Sequence, residues 1–346
     1  MLKKPTKRKR KCLKRYSIDQ CSLYKVRSAK RLSEILGVEK QRLDSILKSS
    51  AKYREFTIEE TTNPFSSKFI KSRQVQAPSD ELRRIHERIL YLLEPIELPN
   101  YAHAAVKGRS YRSNAATHVN SARMATFDLK NFYGSTQRYL VYSFFLDNLK
   151  CSPDIAGKLT ELTTFRNALP TGSPLSPLLS LHAAKPMLDE LSKLAQLHDL
   201  IFTCYIDDLT FSGKKIPRSL ERRVSRIVGK YNHQLSIHKT KIFDEDKPKH
   251  VTGVVINKGK LAVPHSRFLT ARKLELAIAG KFPMHGNSML KLCEKLAGLL
   301  GETACIDPTY KKWAEKAQED LRKARTKDSS IVGPDSTDFG SCQQID

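Results

Sequence analysis

Adjacent acids in an otherwise apolar stretch are the residues of this chain best suited to chemistry. Asp207 and Asp208 interrupt LIFTCYIDDLTFSG at 200 to 213, where apolar runs flank them on both sides. The pattern reads as a hairpin with the acids in or beside its turn. Hairpin turns also carry acids merely to satisfy backbone donors, so the pair alone leaves both readings open. A second strand end adds context: the alternating segment RMATFD at 123 to 128 closes on Asp128 and is followed by Phe132 and Tyr133. Magnesium prefers carboxylate oxygen and keeps several waters, so two or three aspartates from neighbouring strands suffice to hold it. Two such ions suit nucleotidyl transfer, one lowering the pKa of an attacking sugar hydroxyl and one neutralising the departing pyrophosphate. Asp128, Asp207 and Asp208 are therefore the candidate catalytic and metal-binding residues, with two Mg2+ ions, or Mn2+ as a substitute, as cofactor.

The surrounding elements must bring these strand ends together. From Ser28 to Leu47 the apolar residues recur at helical spacing, broken at Gly37, which predicts two short helices. Pro78, Ser79, Asp80 and Glu81 open another helix whose stripe is Leu82, Ile85, Ile89, Leu92 and Leu93. Between Ala104 and Phe132 the pattern changes to short extended runs and polar turns. After Pro264 the chain becomes helical again over 266 to 279, 287 to 300 and 307 to 323, with Asp307 as N-cap and Trp313 on an apolar stripe as a core anchor. Residues 1 to 20 read as a basic disordered arm and 326 to 346 as a disordered tail.

The whole chain carries a formal charge of +25 over 346 residues, with Lys and Arg along almost its full length, which suits a protein that neutralises phosphates. At 40% hydrophobic it can bury a core of two or three lobes. No apolar run is long enough to cross a bilayer and none follows the basic N-terminus as a signal core, so the expected place is the cytoplasm of a bacterium, with no membrane partner. The seven cysteines never fall at CxxC spacing, so neither a disulfide framework nor a zinc site is indicated.

FDLKNFY at 127 to 133, LPTGSPLSP at 169 to 177 and YIDDLTFS at 205 to 212 stand in the order and spacing of the palm motifs of reverse transcriptases, which the chain resembles. NAATH at 114 to 118 and VTG at 251 to 253 resemble the elements that mark the retron branch. The resemblance implies an α+β right-hand polymerase: an N-terminal helical segment at 21 to 60, fingers and a palm with an antiparallel sheet at 61 to 260, and a helical thumb at 261 to 325. It implies that Asp128 and Asp207 bind both metals, that Asp208 completes the cluster, and that the backbone at Leu129 helps hold the triphosphate. Tyr133 matches the aromatic residue under the incoming sugar, where a 2′-hydroxyl would collide. Arg73 and Lys71 in IKSRQVQAP, and Gly172 and Lys239, are implied nucleotide contacts, Lys239 as the proton donor to pyrophosphate. Asn114, His118, Val251, Thr252 and Gly253 are implied RNA contacts, although each also reads as scaffold: Asn114 and His118 bridging a polar segment, Gly253 permitting close backbone approach. Thr171 and Leu181 stand where the family usually has glutamine and asparagine, and Pro186 falls inside an expected helix. The implied partners are dNTPs, a cognate structured non-coding RNA as template and primer, an RNA–DNA hybrid product and, in such systems, an effector protein acting in antiphage defence. A group II intron-like or diversity-generating relative, and a non-catalytic RNA-binding scaffold, are the alternatives.

Overall fold

The computed structural model describes residues 15–66 and 69–331, the side chains of 327–331 excepted. The expectations for residues 1–14 and for the tail beyond 331 lie outside the described residues. Residues 15–20 are not part of a loose arm: the Tyr16 N–H donates to the Pro95 carbonyl at 3.1 Å and its carbonyl accepts from Glu97 at 2.9 Å, because its ring packs beside the core.

The expected pair of helices is α1 (Ala29–Leu36) and α2 (Lys40–Lys48), and Gly37 closes the first in the left-handed region at φ 69°. Strands β1 (Tyr53–Ile58), β2 (Thr61–Thr62), β3 (Phe69–Ile70) and β4 (Arg73–Pro78) follow. Pro78 ends β4, and the Ser79 hydroxyl accepts from the Leu82 N–H to cap α3 (Asp80–Leu93). Helix α4 (Tyr111–Thr117) corrects the expectation of extended runs here. Its start is a reciprocal capping box between Ser110 and Ser113, with serine where glutamate or glutamine usually signals one. After β5 (Arg123–Asp128) come the short α5 (Phe132–Ser135), α6 (Arg138–Ser143) and α7 (Pro153–Thr163). Pro186 needs no kink: the chain breaks between α8 (Ser176–Ala183) and α9 (Lys185–Gln196), leaving the proline in a first turn that lacks an intrahelical acceptor for its nitrogen. Then β6 (Ile201–Tyr205), β7 (Asp208–Gly213), α10 (Leu220–Lys230), β8 (Lys241–Phe243), β9 (Lys249–Val251) and β10 (Val254–Asn257) lead to α11 (His265–Ile278), α12 (Met289–Ile306) and α13 (Lys311–Ile331). Helix α13 runs past 326, where the tail was expected to begin.

Two compact units result. Among the described residues, one comprises those up to Glu59 together with Ser72–Lys260, the other those of Glu60–Lys71 together with those from Leu261 onward. In the first, four antiparallel strands lie in the order β6-β7-β5-β8. Their alternation sends Phe127, Phe202 and Phe211 into a core shared with Leu188 and Leu191 of α9 and Val224 of α10. Each such side chain contributes about 1.5–3 kcal/mol on burial. A second core joins α1, α2 and α3 to α6, α7 and α8. Leu181, one of the unusual residues, belongs to the core beneath the sheet.

The second unit corrects a boundary, because residues 60–71 were expected with the fingers and palm. Phe65 draws them to the C-terminal helices: it is buried with Leu274, Leu292 and Leu296, its ring 6.0 Å from Phe282 and 5.5 Å from His285. Trp313 packs at the edge of this core between Tyr310 and Phe268 and is only half-buried. Among the described residues no helix is long and apolar enough to cross a membrane.

Candidate active site

The three aspartates meet at one end of the four-stranded sheet through strand register. Tyr205 of β6 pairs with Asp208 of β7, which leaves Ile206 and Asp207 as the two-residue turn. Asp128, the last residue of β5, lies directly opposite Asp208. Ile206 sits at φ 58°, a left-handed conformation that costs a β-branched residue on the order of 1–3 kcal/mol. Packing of Ile206 on the core, and donation from the Leu129 N–H to the Asp207 carbonyl at 2.9 Å, hold the turn there. On the other flank the Asp128 carbonyl accepts from the Ser236 N–H at 2.8 Å. That bond opens the single turn Ile237–Lys239, which delivers the Lys239 ammonium to both carboxylate oxygens of Asp128 at 2.9 Å each.

Burial first, then the charges of Asp207 and Asp128, push the Asp208 carboxyl up to about 7 against the opposing pull of Lys239. Asp207 is raised too, chiefly by burial and further by Asp128, while its own backbone N–H and Lys239 act the other way. The bond to Asp128 holds the Lys239 ammonium above its ordinary range. Acids held this close favour an added cation. Among the described residues no three His, Cys, Asp or Glu side chains stand together at metal-ligand spacing, and on Asp128 the lysine ammonium is the counter-charge. The mutual repulsion of the acids is the better guide to what they bind, since a carboxylate re-aims by rotation about two side-chain bonds. An all-oxygen donor set on two strand ends fits a hard divalent ion.

Two clefts open in the first unit, and Asp128 and Asp208 line one of them. The larger, of about 730 Å³, is lined by Arg73, Gln74 and Gln76 of β4, by Asn131, Tyr133 and Gly134 after β5, and by Thr171. Burial, with the charge of Asp207 second, pushes the Tyr133 phenol up to about 12, so it stays neutral near pH 7. The smaller, of about 340 Å³, contains Asp128 and Asp208 together with His238, Lys239, Lys241, His250 and Thr252.

Several expected contacts are reassigned by where their groups point. The Leu129 N–H is taken by Asp207 and its side chain is core, so it secures the turn rather than facing a triphosphate. Gly172 donates its N–H to the Gln76 carbonyl at 2.9 Å, and a Cβ there would lie 2.7 Å from that oxygen. It lets the loop close on β4 and leaves no donor for a base pair. Thr171 reinforces that closure, its hydroxyl 3.1 Å from the Gln76 amide oxygen. Lys239 lines the smaller cleft, not the one that holds Arg73. Lys71 falls in the other compact unit.

NAATH and VTG prove to be one assembly. Thr252 and Gly253, at φ 45° and 82°, form the turn between paired Val251 and Val254. Gly253 thus serves a left-handed turn rather than a close approach within a strand. The Thr252 hydroxyl donates to the Tyr111 carbonyl at 3.2 Å and accepts from the Asn114 side-chain amide at 3.3 Å. His118 bridges the hairpin that carries Asp207 and Asp208, one ring nitrogen 2.6 Å from Ser212 and the other 2.7 Å from Thr203. Burial lowers its pKa to about 3, so it is a neutral strut. Asn114, His118 and Val251 are enclosed, with at most 1% of their surface exposed, and cannot touch RNA as expected. Thr252 is half-buried and Gly253 exposed. Sequence reasoning missed Gln74, Gln76, Lys241 and His250 as cleft residues. The two glutamines stand at alternate positions of a strand beside Arg73, and that period-two spacing was the available signal.

The family model described as reverse transcriptase (RNA-dependent DNA polymerase) matches residues 66–256, more than half of the chain. The chain is similar to the retron Se72 reverse transcriptase of Salmonella heidelberg, 31% identical over 80% of this chain and 75% of that one. It is also similar to the retron Ec86 reverse transcriptase of Escherichia coli, 26% identical over 71% of this chain and 76% of that one. The retron Mx162 reverse transcriptase of Myxococcus xanthus is 28% identical over 68% of this chain and 55% of that one. Reverse transcriptases as a family use divalent metal ions and share a right-hand polymerase fold, to which the mixed helices and sheet described above conform. With its acids on paired strand ends and this kinship, the chain belongs to the retron-type reverse transcriptases and is an RNA-directed DNA polymerase.

Proposed function

We propose that the chain copies a cognate structured non-coding RNA into single-stranded DNA that stays covalently joined to RNA, as msDNA. The observation that carries this reading is the register that sets Asp128 opposite Asp208 beside the Asp207 turn, in a cleft that Asp128 and Asp208 line. Asp128 and Asp207 would bind two Mg2+ ions, Mn2+ serving as a substitute, and Asp208 would complete the acidic set. When bound, the ions supply the charge that activates a sugar hydroxyl and stabilises departing pyrophosphate. The four-stranded sheet is the palm, β1 and β4 belong to the fingers, and α11, α12 and α13 form the thumb.

The larger cleft takes the dNTP. Arg73 meets its phosphates, and the neutral ring of Tyr133 stands where a ribonucleotide's 2′-hydroxyl would collide. The smaller cleft takes the RNA strand whose sugar hydroxyl is extended. Lys241 and His250 face its phosphates and Thr252 faces its sugars, with Gly253 exposed on the same turn. Kinship with retron enzymes supports an RNA that is both template and primer, a branched RNA–DNA product, and a role beside an effector protein in antiphage defence.

Expression of the chain with its native flanking DNA, followed by a denaturing gel before and after RNase, tests the proposal. A discrete small DNA that shortens with RNase and is lost in Asp207→Asn is expected. Primer-extension activity without any such product would contradict the retron-specific part.

A further inference from the structure

The Thr252 hydroxyl has an unusual set of obligations. Its one proton goes to the Tyr111 carbonyl, and one of its two lone pairs receives the Asn114 amide. What remains is a single acceptor position on a half-buried residue lining the cleft that also contains Asp128 and Asp208. The left-handed backbone at Thr252 fixes that group on a two-residue turn instead of a flexible side arm. A lone acceptor of this kind can recognise only a donor. Along the interior of a sugar–phosphate backbone, short of the terminal hydroxyl that DNA and RNA share, the phosphates are acceptors and the sole donor is the ribose 2′-hydroxyl, which deoxyribose lacks. Lys241 in the same cleft offers charge, which phosphate accepts regardless of sugar, while burial and the Lys241 charge disfavour the charged form of His250.

We propose that Thr252 is a specificity-determining residue that accepts a hydrogen bond from a ribose 2′-hydroxyl of the strand entering the smaller cleft, with Asn114 as the residue that orients it. The inference rests on RNA entering by this cleft, as read above. It makes the enzyme a reader of the sugar in the strand it extends, separately from the sugar of the incoming nucleotide.

The test compares first-nucleotide addition to an all-ribose primer and an all-deoxyribose primer of one sequence, on one RNA template. Thr252→Val should lower the RNA-to-DNA primer ratio of kcat/KM roughly three- to tenfold, the worth of one hydrogen bond, because the RNA-primed rate falls by more than the DNA-primed rate. Thr252→Ser should keep the wild-type ratio, and Asn114→Ala should shift it in the direction of Val. Should the valine variant fail to fold, single 2′-O-methyl substitutions along the RNA primer on the wild-type enzyme should slow addition at one position near the terminus. An unchanged ratio in Thr252→Val, an equal fall on both primers, or a methyl scan without a sensitive position overturns the inference. If Lys241→Ala leaves RNA affinity untouched, the assignment of the cleft itself fails; if that affinity falls while the sugar ratio stays put, only the role of Thr252 fails.

Discussion

The two clefts of the first unit are built in opposite ways. The larger is closed through backbone groups: β4 and the loop at 169 to 177 are joined by the Gly172 N–H on the Gln76 carbonyl and by the Gln76 N–H on the Thr171 hydroxyl. The smaller is shaped by side chains, with Lys239, Lys241, His238 and His250 around Asp128 and Asp208. A backbone-built wall suits a ligand of constant shape, such as a nucleoside triphosphate. A wall of basic side chains suits a polymer held chiefly by its phosphates.

Substitution on each side should separate the two. Arg73→Ala should raise the KM for dNTP about ten- to a hundredfold, the loss of charge-assisted hydrogen bonds, with RNA affinity intact in a filter-binding titration. Gly172→Ala should destabilise the first unit by about 1–3 kcal/mol in urea unfolding, because a Cβ 2.7 Å from a backbone oxygen must push β4 and the loop apart. A Gly172→Ala protein of wild-type stability would mean that the loop and β4 are not closed on each other. Lys241→Ala should weaken RNA binding only a fewfold and reduce its salt slope by about 1, with the dNTP KM unchanged. Equal effects of Arg73→Ala and Lys241→Ala on both ligands would erase the distinction between the clefts.

A pH series sharpens the smaller cleft further. The Asp208 carboxyl titrates at about 7 in the folded chain against an ordinary 3.8. A raised folded value favours folding at pH below the ordinary value, and that contribution is lost as pH rises toward 7. Metal-free protein should therefore lose stability across this window relative to Asp208→Asn, as followed by thermal unfolding. Mg2+ should restore it at the upper end, and protons should compete with the metal below about pH 7, lowering activity there.

How much of this was legible in sequence follows from the range of the interactions. Asp128 and the pair Asp207 and Asp208 could be read as strand ends because period-two alternation is local. Leu129 and Gly172 were misassigned because the partners of their backbone amides, Asp207 and Gln76, are far away in the chain and no side chain announces them. Asn114 and His118 matched a family pattern, yet pattern matching is silent on burial, and burial turns a contact residue into a strut. Phe65 escaped for the same reason: nothing near it in sequence says that its ring lies among the C-terminal helices. Helix α4 was hidden by a capping box made of two serines, and the break before Lys185 by good helix formers on both sides of it, with no glycine to mark it.

Single-nucleotide addition by the purified chain, on an RNA template with an annealed primer, dNTP and Mg2+, tests the acidic cluster most directly when wild type is set beside Asp128→Asn. The account predicts that the substitution lowers the rate of addition by at least about a thousandfold while RNA affinity is retained. Addition by Asp128→Asn within about tenfold of wild type would contradict it, since an ordinary side-chain hydrogen bond accounts for a loss of that size without any metal site.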